Sequence, residues 1–402
     1  MKKNYPRVSY GLSVHGKEEI KIVNKVLKTS TQLGSHVLEL ERKICKLFSK
    51  KYGLMTNSGS SALMLAMEVL NLPKGSEVIT PALTFGTSVS YIVKNGLIPV
   101  FIDVKEGTYC INEDQIYSSI TKKTKAILAP HLLGNLVDWE KIKKNLKNKL
   151  IIIEDSADTL GATFKNKSIS RFSDISITSF YGSHVINGAG NGGMVCFNNR
   201  KHFLRAKVLR SWGRSSTLYD EKSEKIENRF NIKIDGIRYD KKFVFSEIGH
   251  NVEPSEISAA FALVQLKKLK KNINKRIFNF NKLTKFFKKY EKFFILPKQL
   301  NKSKTGWLAY PLTIKDNEYF SRTDMQIFLE KRNIQTRVVF TGNILRQPGF
   351  KDIKRVESKI GYPESDKVMK NGILIGCHHG LTEKMLDHLK KSIDIFISIV
   401  RC

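Results

Sequence analysis

The chain has 402 residues, 41% of them hydrophobic and 10% aromatic, and a formal net charge of +32 from 69 lysines and arginines against 37 aspartates and glutamates. That length allows a substantial core, divided between one large and one smaller domain, while the absence of any apolar run of membrane-spanning length excludes an integral helical membrane protein. The basic balance invites a nucleic-acid reading, but the lysines are spread over the whole chain, as on solvated helix faces that need no partner; nucleic-acid binding is not expected, whereas a small anionic ligand would be steered toward such a surface.

The five cysteines (45, 110, 196, 377 and 402) form no C-x-x-C pair. They read as reduced, mostly buried thiols, and with an N-terminus lacking an apolar signal segment they give the expectation of a soluble, cytoplasmic protein. In chain order, a short run at Leu54-Met55 is followed by Asn57-Ser58-Gly59-Ser60-Ser61 and a helix-period segment from Ala62 to Leu70. A glycine and small hydroxyl residues at a helix start leave N–H groups free to face an anion; taken alone, the segment better suits an ordinary capped helix. Four β-branched runs come next, at 77–80, 98–103, 126–129 and 150–155, and a fifth spans 175–180. Continuous apolar strands alternating with helices indicate a largely parallel sheet covered on both faces, with its ligand beyond the carboxyl ends of the strands. Asp155 and Ser179 stand at or near two such ends, and His184 follows shortly after.

The stretch from Ser215 to Val244 is polar, charged and weakly periodic, a surface excursion or an active-site loop. From about Pro254 the pattern changes: a long helix from Ser255 to about Lys288 leads into a smaller α/β domain reaching Cys402. The expected division is a large domain over 1–254 and a small one over 255–402.

Several segments carry a shared resemblance. Ser179-Phe180-Tyr181-Gly182-Ser183-His184, continuing to Gly190-Asn191-Gly192-Gly193, is similar to the S-F-x-x-x-K-x-x-x-x-x-G-x-G-G signature of the DegT/DnrJ/EryC1/StrS sugar aminotransferases, with histidine in the lysine slot. Glu154-Asp155-Ser156-Ala157-Asp158 resembles their E-D-x-A motif, Ser58-Gly59-Ser60 their phosphate turn, Pro81-Ala82-Leu83-Thr84-Phe85 their P-x-x-T-[FW] stretch, and Gly249-His250-Asn251 their G-Y-N block. The resemblance implies the aspartate aminotransferase-like α/β fold (fold type I) that binds pyridoxal phosphate (PLP). It implies that Gly59, Ser60 and Ser179 grip the cofactor phosphate, that Phe85 stacks on the pyridine ring, and that Asp155 pairs with the ring nitrogen. Asp158 is a further cofactor-binding candidate. Asn251 would reach the cofactor phosphate of a second subunit, which implies a homodimer with shared active sites.

Imidazole cannot hold PLP covalently as a lysine would, yet it remains an acid and base near neutral pH. Lysine-to-histidine is the mark of the branch resembled most, the NDP-4-keto-6-deoxyhexose 3-dehydratases. The implied activity is removal of the C3 hydroxyl of a nucleotide-linked 4-keto-6-deoxyhexose in dideoxysugar biosynthesis. His184 would be the catalytic base, untethered PLP or pyridoxamine phosphate (PMP) the cofactor, and L-glutamate the amino donor. Ser211-Trp212-Gly213-Arg214 and Gly376-Cys377-His378-His379-Gly380 resemble the same branch. Iron-sulfur members carry cysteines just after S-W-G-R; here the sequence reads Ser215-Ser216-Thr217-Leu218, with no cysteine between Cys196 and Cys377, so no metal site is expected. An iron-sulfur-assisted 3-dehydrase with a reductase partner, a sugar aminotransferase and a non-catalytic cofactor-binding regulator remain as alternatives.

Overall fold

The computed structural model describes residues 5–146, 150–219 and 226–401; Cys402 and part of the 215–244 stretch lie outside them. Seven strands form the main sheet: β1 (Tyr52–Thr56), β2 (Glu77–Pro81), β3 (Ile98–Ile102), β4 (Thr124–Pro130), β5 (Ile151–Asp155), β6 (Ile175–Ser179) and β7 (Gly193–Phe197), in the order β1-β7-β6-β5-β4-β2-β3. The pairs from β3 through β6 are parallel, and β7 runs antiparallel to both β1 and β6. All five residues of β2 and of β7 are buried, as expected of strands covered on both faces.

Helices α1 (Lys17–Leu27), α2 (Ser35–Leu47), α3 (Gly59–Glu68), α4 (Gly86–Lys94), α5 (Trp139–Leu146) and α6 (Arg200–Arg210) accompany the sheet. One face buries Leu63, Ala66 and Met67 of α3 with Val78, Leu128 and Val195; another core gathers Ile127 and Ile152 around Trp139 and Ile142 of α5. The helix expected from Ser255 is α7 (Glu256–Phe287), and Ser255 caps it by accepting the N–H of Ser258 at 3.1 Å. Its first residue also caps another helix. The Glu256 carboxylate accepts from the N–H groups of Gly34 (2.9 Å), His36 (2.6 Å) and Val37 (3.2 Å), placing negative charge at the positive end of α2.

The C-terminal part is a four-stranded sheet of β8 (Phe294–Ile295), β9 (Ala309–Ile314), β10 (Thr336–Arg337) and β11 (Gly372–Gly376), in the order β8-β9-β11-β10 and antiparallel throughout. It packs with α8 (Arg322–Lys331), α9 (Pro363–Asn371) and α10 (Glu383–Arg401). Its core includes Phe280, Leu283 and Phe287 from the second half of α7 and Val8 from the N-terminal segment. No helix of the described residues is long and apolar enough to cross a membrane.

The 215–244 stretch resolves into a short turn at 215–218 and a hairpin pairing Ile232–Ile234 with Ile237–Tyr239. None of its described residues lines the cavity described next; within this subunit these residues form a surface excursion.

Candidate active site

The carboxyl ends of β4, β5 and β6 lie side by side, with Pro130 opposite Asp155 and Asp155 opposite Ile177. Parallel strands bring every following loop to one edge, and there the molecule holds a cavity of about 350 Å³. Gly59, Ser60, Phe85, Asp155, Asp158, Ser179 and His184 all line it. Asn251 does not: it is exposed on the surface, bridged to Ser211.

One end of the cavity suits an anion. Ser58 caps α3, its Oγ accepting from the N–H of Ser61 at 3.1 Å and its carbonyl from Ala62 at 3.1 Å. The first N–H groups of a helix have no partner within it, so those of Gly59 and Ser60 are left for a ligand at the positive end of the helix. Glycine is required at 59 by close approach, since a Cβ there would lie 2.6 Å from Cβ of Ser179. The missing side chain lets the helix start and the strand-end serine converge on one spot.

The opposite wall carries two acids. Asp155 ends β5, accepts the N–H of Ala157 at 3.0 Å, and is pushed up to about 6 by burial. A cation within reach, such as a protonated ring nitrogen, would relieve that cost. Its neighbour Glu154 points the other way, as strand alternation demands. It accepts from Ser170 (2.7 Å) and Ser173 (2.8 Å). Burial alone would raise Glu154, but His131 and Lys50 hold it at about 2. His131 accepts the N–H of Val137 on Nδ1 (2.8 Å), so its proton sits on Nε2, 3.3 Å from the Glu154 carboxylate. The sheet thus keeps a permanent charge behind Asp155 and fixes the imidazole of His131 in the cavity wall.

His184 lies on the loop after β6, in a turn closed by its N–H to the Tyr181 carbonyl at 3.0 Å. Its Nδ1 is 3.0 Å from the Ser179 carbonyl, which can only accept, so the neutral ring carries its proton on Nδ1 and presents the Nε2 lone pair. That nitrogen is 3.5 Å from Asp158 Oδ1, while Asp158 Oδ2 accepts the N–H of Leu133 at 2.9 Å. Burial pushes Asp158 up to about 7, helped by Asp155, and pushes His184 down to about 4. The imidazole is therefore neutral, with the Nε2 lone pair facing the Asp158 carboxyl. Asp158 stands here as the partner of His184.

Phe85 is 49% exposed and forms a cavity wall edge-on to Phe340, with ring centroids 6.0 Å apart. Tyr10, His131 and Phe340 also line the cavity. Tyr10 arrives from the N-terminal segment, and the Arg337 guanidinium stands 5.6 Å from its ring centroid. Phe340 follows β10 with φ of 45°, a left-handed conformation costly for a bulky side chain. No local sequence signal marks any of the three. Among the described residues no group of three or more His, Cys, Asp or Glu side chains is placed to hold a metal ion.

The same architecture recurs in solved structures. The Escherichia coli GDP-4-keto-6-deoxy-D-mannose-3-dehydratase with bound hydrated PLP superposes with a TM-score of 0.84 at 27% identity, over 97% of this chain and 99% of that one. A GDP-4-keto-6-deoxymannose-3-dehydratase holding a trapped PLP-glutamate geminal diamine gives 0.85 at 26%, over 97% of this chain and 100% of that one. The fold is that of the PLP-dependent, aminotransferase-like α/β enzymes. The chain belongs to the DegT/DnrJ/EryC1/StrS aminotransferase family, whose model matches residues 14–394. It is 33% identical to the lipopolysaccharide biosynthesis protein RfbH of Salmonella typhimurium, over 89% of this chain and 84% of that protein. It is 32% identical to the dTDP-4-dehydro-2,6-dideoxy-D-glucose 3-dehydratase of Saccharopolyspora spinosa, over 95% of this chain and 84% of that protein. A GDP-perosamine synthase of E. coli O157:H7 stands at 30%, over 82% of this chain and 84% of that protein, so relatives of both kinds lie at similar distance.

Proposed function

We propose that the protein removes the C3 hydroxyl of a nucleotide-linked 4-keto-6-deoxyhexose, using PLP and PMP held without a covalent tether and L-glutamate as amino donor. The observation that carries this reading is the neutral imidazole of His184 in the cavity wall, anchored on Ser179 and backed by Asp158, where an aminotransferase would present a lysine amine. The cavity fits the cofactor: the N–H groups at the start of α3 with Ser179 would take its phosphate, Asp155 its ring nitrogen, and Phe85 a face of its ring. When bound, the cofactor supplies an amine for the C4 ketone and a ring that accepts electrons.

The chain's own part is proton management. His184 Nε2, free of a proton, takes one at the start of the elimination and returns it to the departing C3 oxygen, which leaves as water. Asp158 supports the imidazolium between those events, its Oδ1 facing the same nitrogen. Imidazole lacks the reach and the amine of lysine for returning the proton to the sugar carbon, so nitrogen is lost as ammonia and not retained in an amino sugar.

The observations also support a homodimer. A face rich in exposed apolar residues runs through Tyr219, Phe243, Phe245 and Ile248, the last 98% exposed, beside the exposed Asn251. A second copy covering it would bring that asparagine to a neighbouring phosphate site.

The test is mass spectrometry of products after incubating the protein with PLP, L-glutamate and a panel of GDP-, CDP- and dTDP-linked 4-keto-6-deoxyhexoses. A 3-deoxy-4-keto sugar with equimolar ammonia is expected, without added reductase; an amino-sugar product refutes the reading. Iron analysis of anaerobically purified protein separates it from an iron-sulfur-assisted route.

A further inference from the structure

Arg276, midway along α7, is fully buried. All its hydrogen bonds end on neutral acceptors: the carbonyls of Ser183 (2.9 Å), Trp307 (3.0 Å) and Leu308 (3.1 Å), and Nδ1 of His379 (3.2 Å). No carboxylate among the described residues pairs with it, although a buried guanidinium without a counter-ion is costly to keep. The bonds join three parts of the molecule: the loop that carries His184, the entry to β9, and the turn after β11. Ser183 directly precedes His184, so the guanidinium grips the backbone beside the imidazole.

We propose that Arg276 is the positioning residue for His184: it fixes the Ser183 carbonyl next to the imidazole and keeps a positive charge near it, so that the imidazole works as a neutral base. The inference rests on His184 being the base of the reaction proposed above. Burial lowers Arg276 only to about 10, so it stays charged at neutral pH. Three imidazoles surround it, and burial followed by its charge holds His378 at about 4 and His379 at about 3. The other groups facing His184 are Asp158 from the β5 loop, with Tyr10 in electrostatic reach of that acid, and the Tyr181 ring 6.1 Å away. Asp158 pulls toward a charged imidazole, and burial, then the Arg276 charge, oppose it.

The experiment is a pH titration of ¹⁵N-histidine-labelled full-length protein by NMR, with the His184 signal assigned by its loss in His184→Gln. In the wild type the ring is expected to stay neutral down to about pH 5, and in Arg276→Gln its midpoint rises by about one unit or more. The acid limb of kcat/KM moves up in parallel. A wild-type midpoint at the ordinary histidine value, or no change in Arg276→Gln, overturns the proposal. Should Arg276→Gln fail to fold, Arg276→Lys decides: it keeps the charge and loses the fork, so a low midpoint with reduced kcat supports the proposal and an unchanged kcat overturns it. Failure of the dehydration reading is distinguishable, because it shows in the product panel and leaves the NMR midpoints unaffected.

Discussion

At the scale of single residues, the buried pair of His184 and Asp158 sets two expectations. His184→Asn keeps an N–H near the Nδ1 position for the Ser179 carbonyl but loses the rest of the ring and its basic nitrogen. Turnover is expected to fall about 10²–10⁴-fold while the absorbance of bound PLP persists, read by single-turnover kinetics and ultraviolet-visible spectroscopy. Asp158 links to stability. Its folded value of about 7 lies above the ordinary value of 3.8, so between these limits the folded protein holds the proton that the unfolded chain has released. The stability it contributes is present at acid pH and is lost as pH rises toward 7. Asp158→Asn should therefore lose less stability than wild type between about pH 5 and 7.5, measured as urea midpoints in cofactor-free buffer. A steeper loss in the variant would refute the assignment.

At the scale of elements, the site depends on how closely α3 approaches β6. Any side chain at position 59 meets Ser179, so Gly59→Val must push the helix start off the strand end. The expected cost is about 1–3 kcal/mol of stability, with a larger loss of PLP affinity than of stability because the two groups proposed to hold the phosphate separate together. Removing the cap instead, as Ser58→Ala, is expected to cost about 1 kcal/mol and to leave the cavity wall in place. Thermal denaturation and PLP titration of the two variants distinguish these effects. The strands themselves were readable, since parallel strands buried on both faces appear as unbroken apolar runs such as 98–102 and 151–155. β1 and β7 were harder to see. β1 opens on two partly exposed residues, and the start of β7 is hidden in a glycine-rich segment whose chemistry dominates the reading.

At the scale of the whole molecule, the exposed apolar face around Ile248 should close on a second copy. Ile248→Asp is expected to convert a dimer to a monomer in sedimentation velocity, with activity falling because Asn251 no longer reaches a partner's site. A wild-type monomer at micromolar concentration would remove both expectations. The basic surface bears on this scale too: with +32 formal charge, the apparent affinity for a nucleotide sugar should weaken as salt rises, through long-range steering of the substrate.

Local pattern alone determined the alternating α/β plan, the long helix opening at Ser255, and the strand-end positions of Asp155 and Ser179, while the resemblance to the sugar aminotransferases added the other residues now found at that sheet edge. Those features are written in contiguous residues, where periodicity, capping and turn chemistry act over a few positions. The tertiary structure decided what stands around them. Tyr10, Phe340 and Arg276 come from three distant segments, and the pairing of His184 with Asp158 joins two loops that only the parallel sheet brings together. Spacing along the chain carries no record of such contacts, because burial and charge act through space.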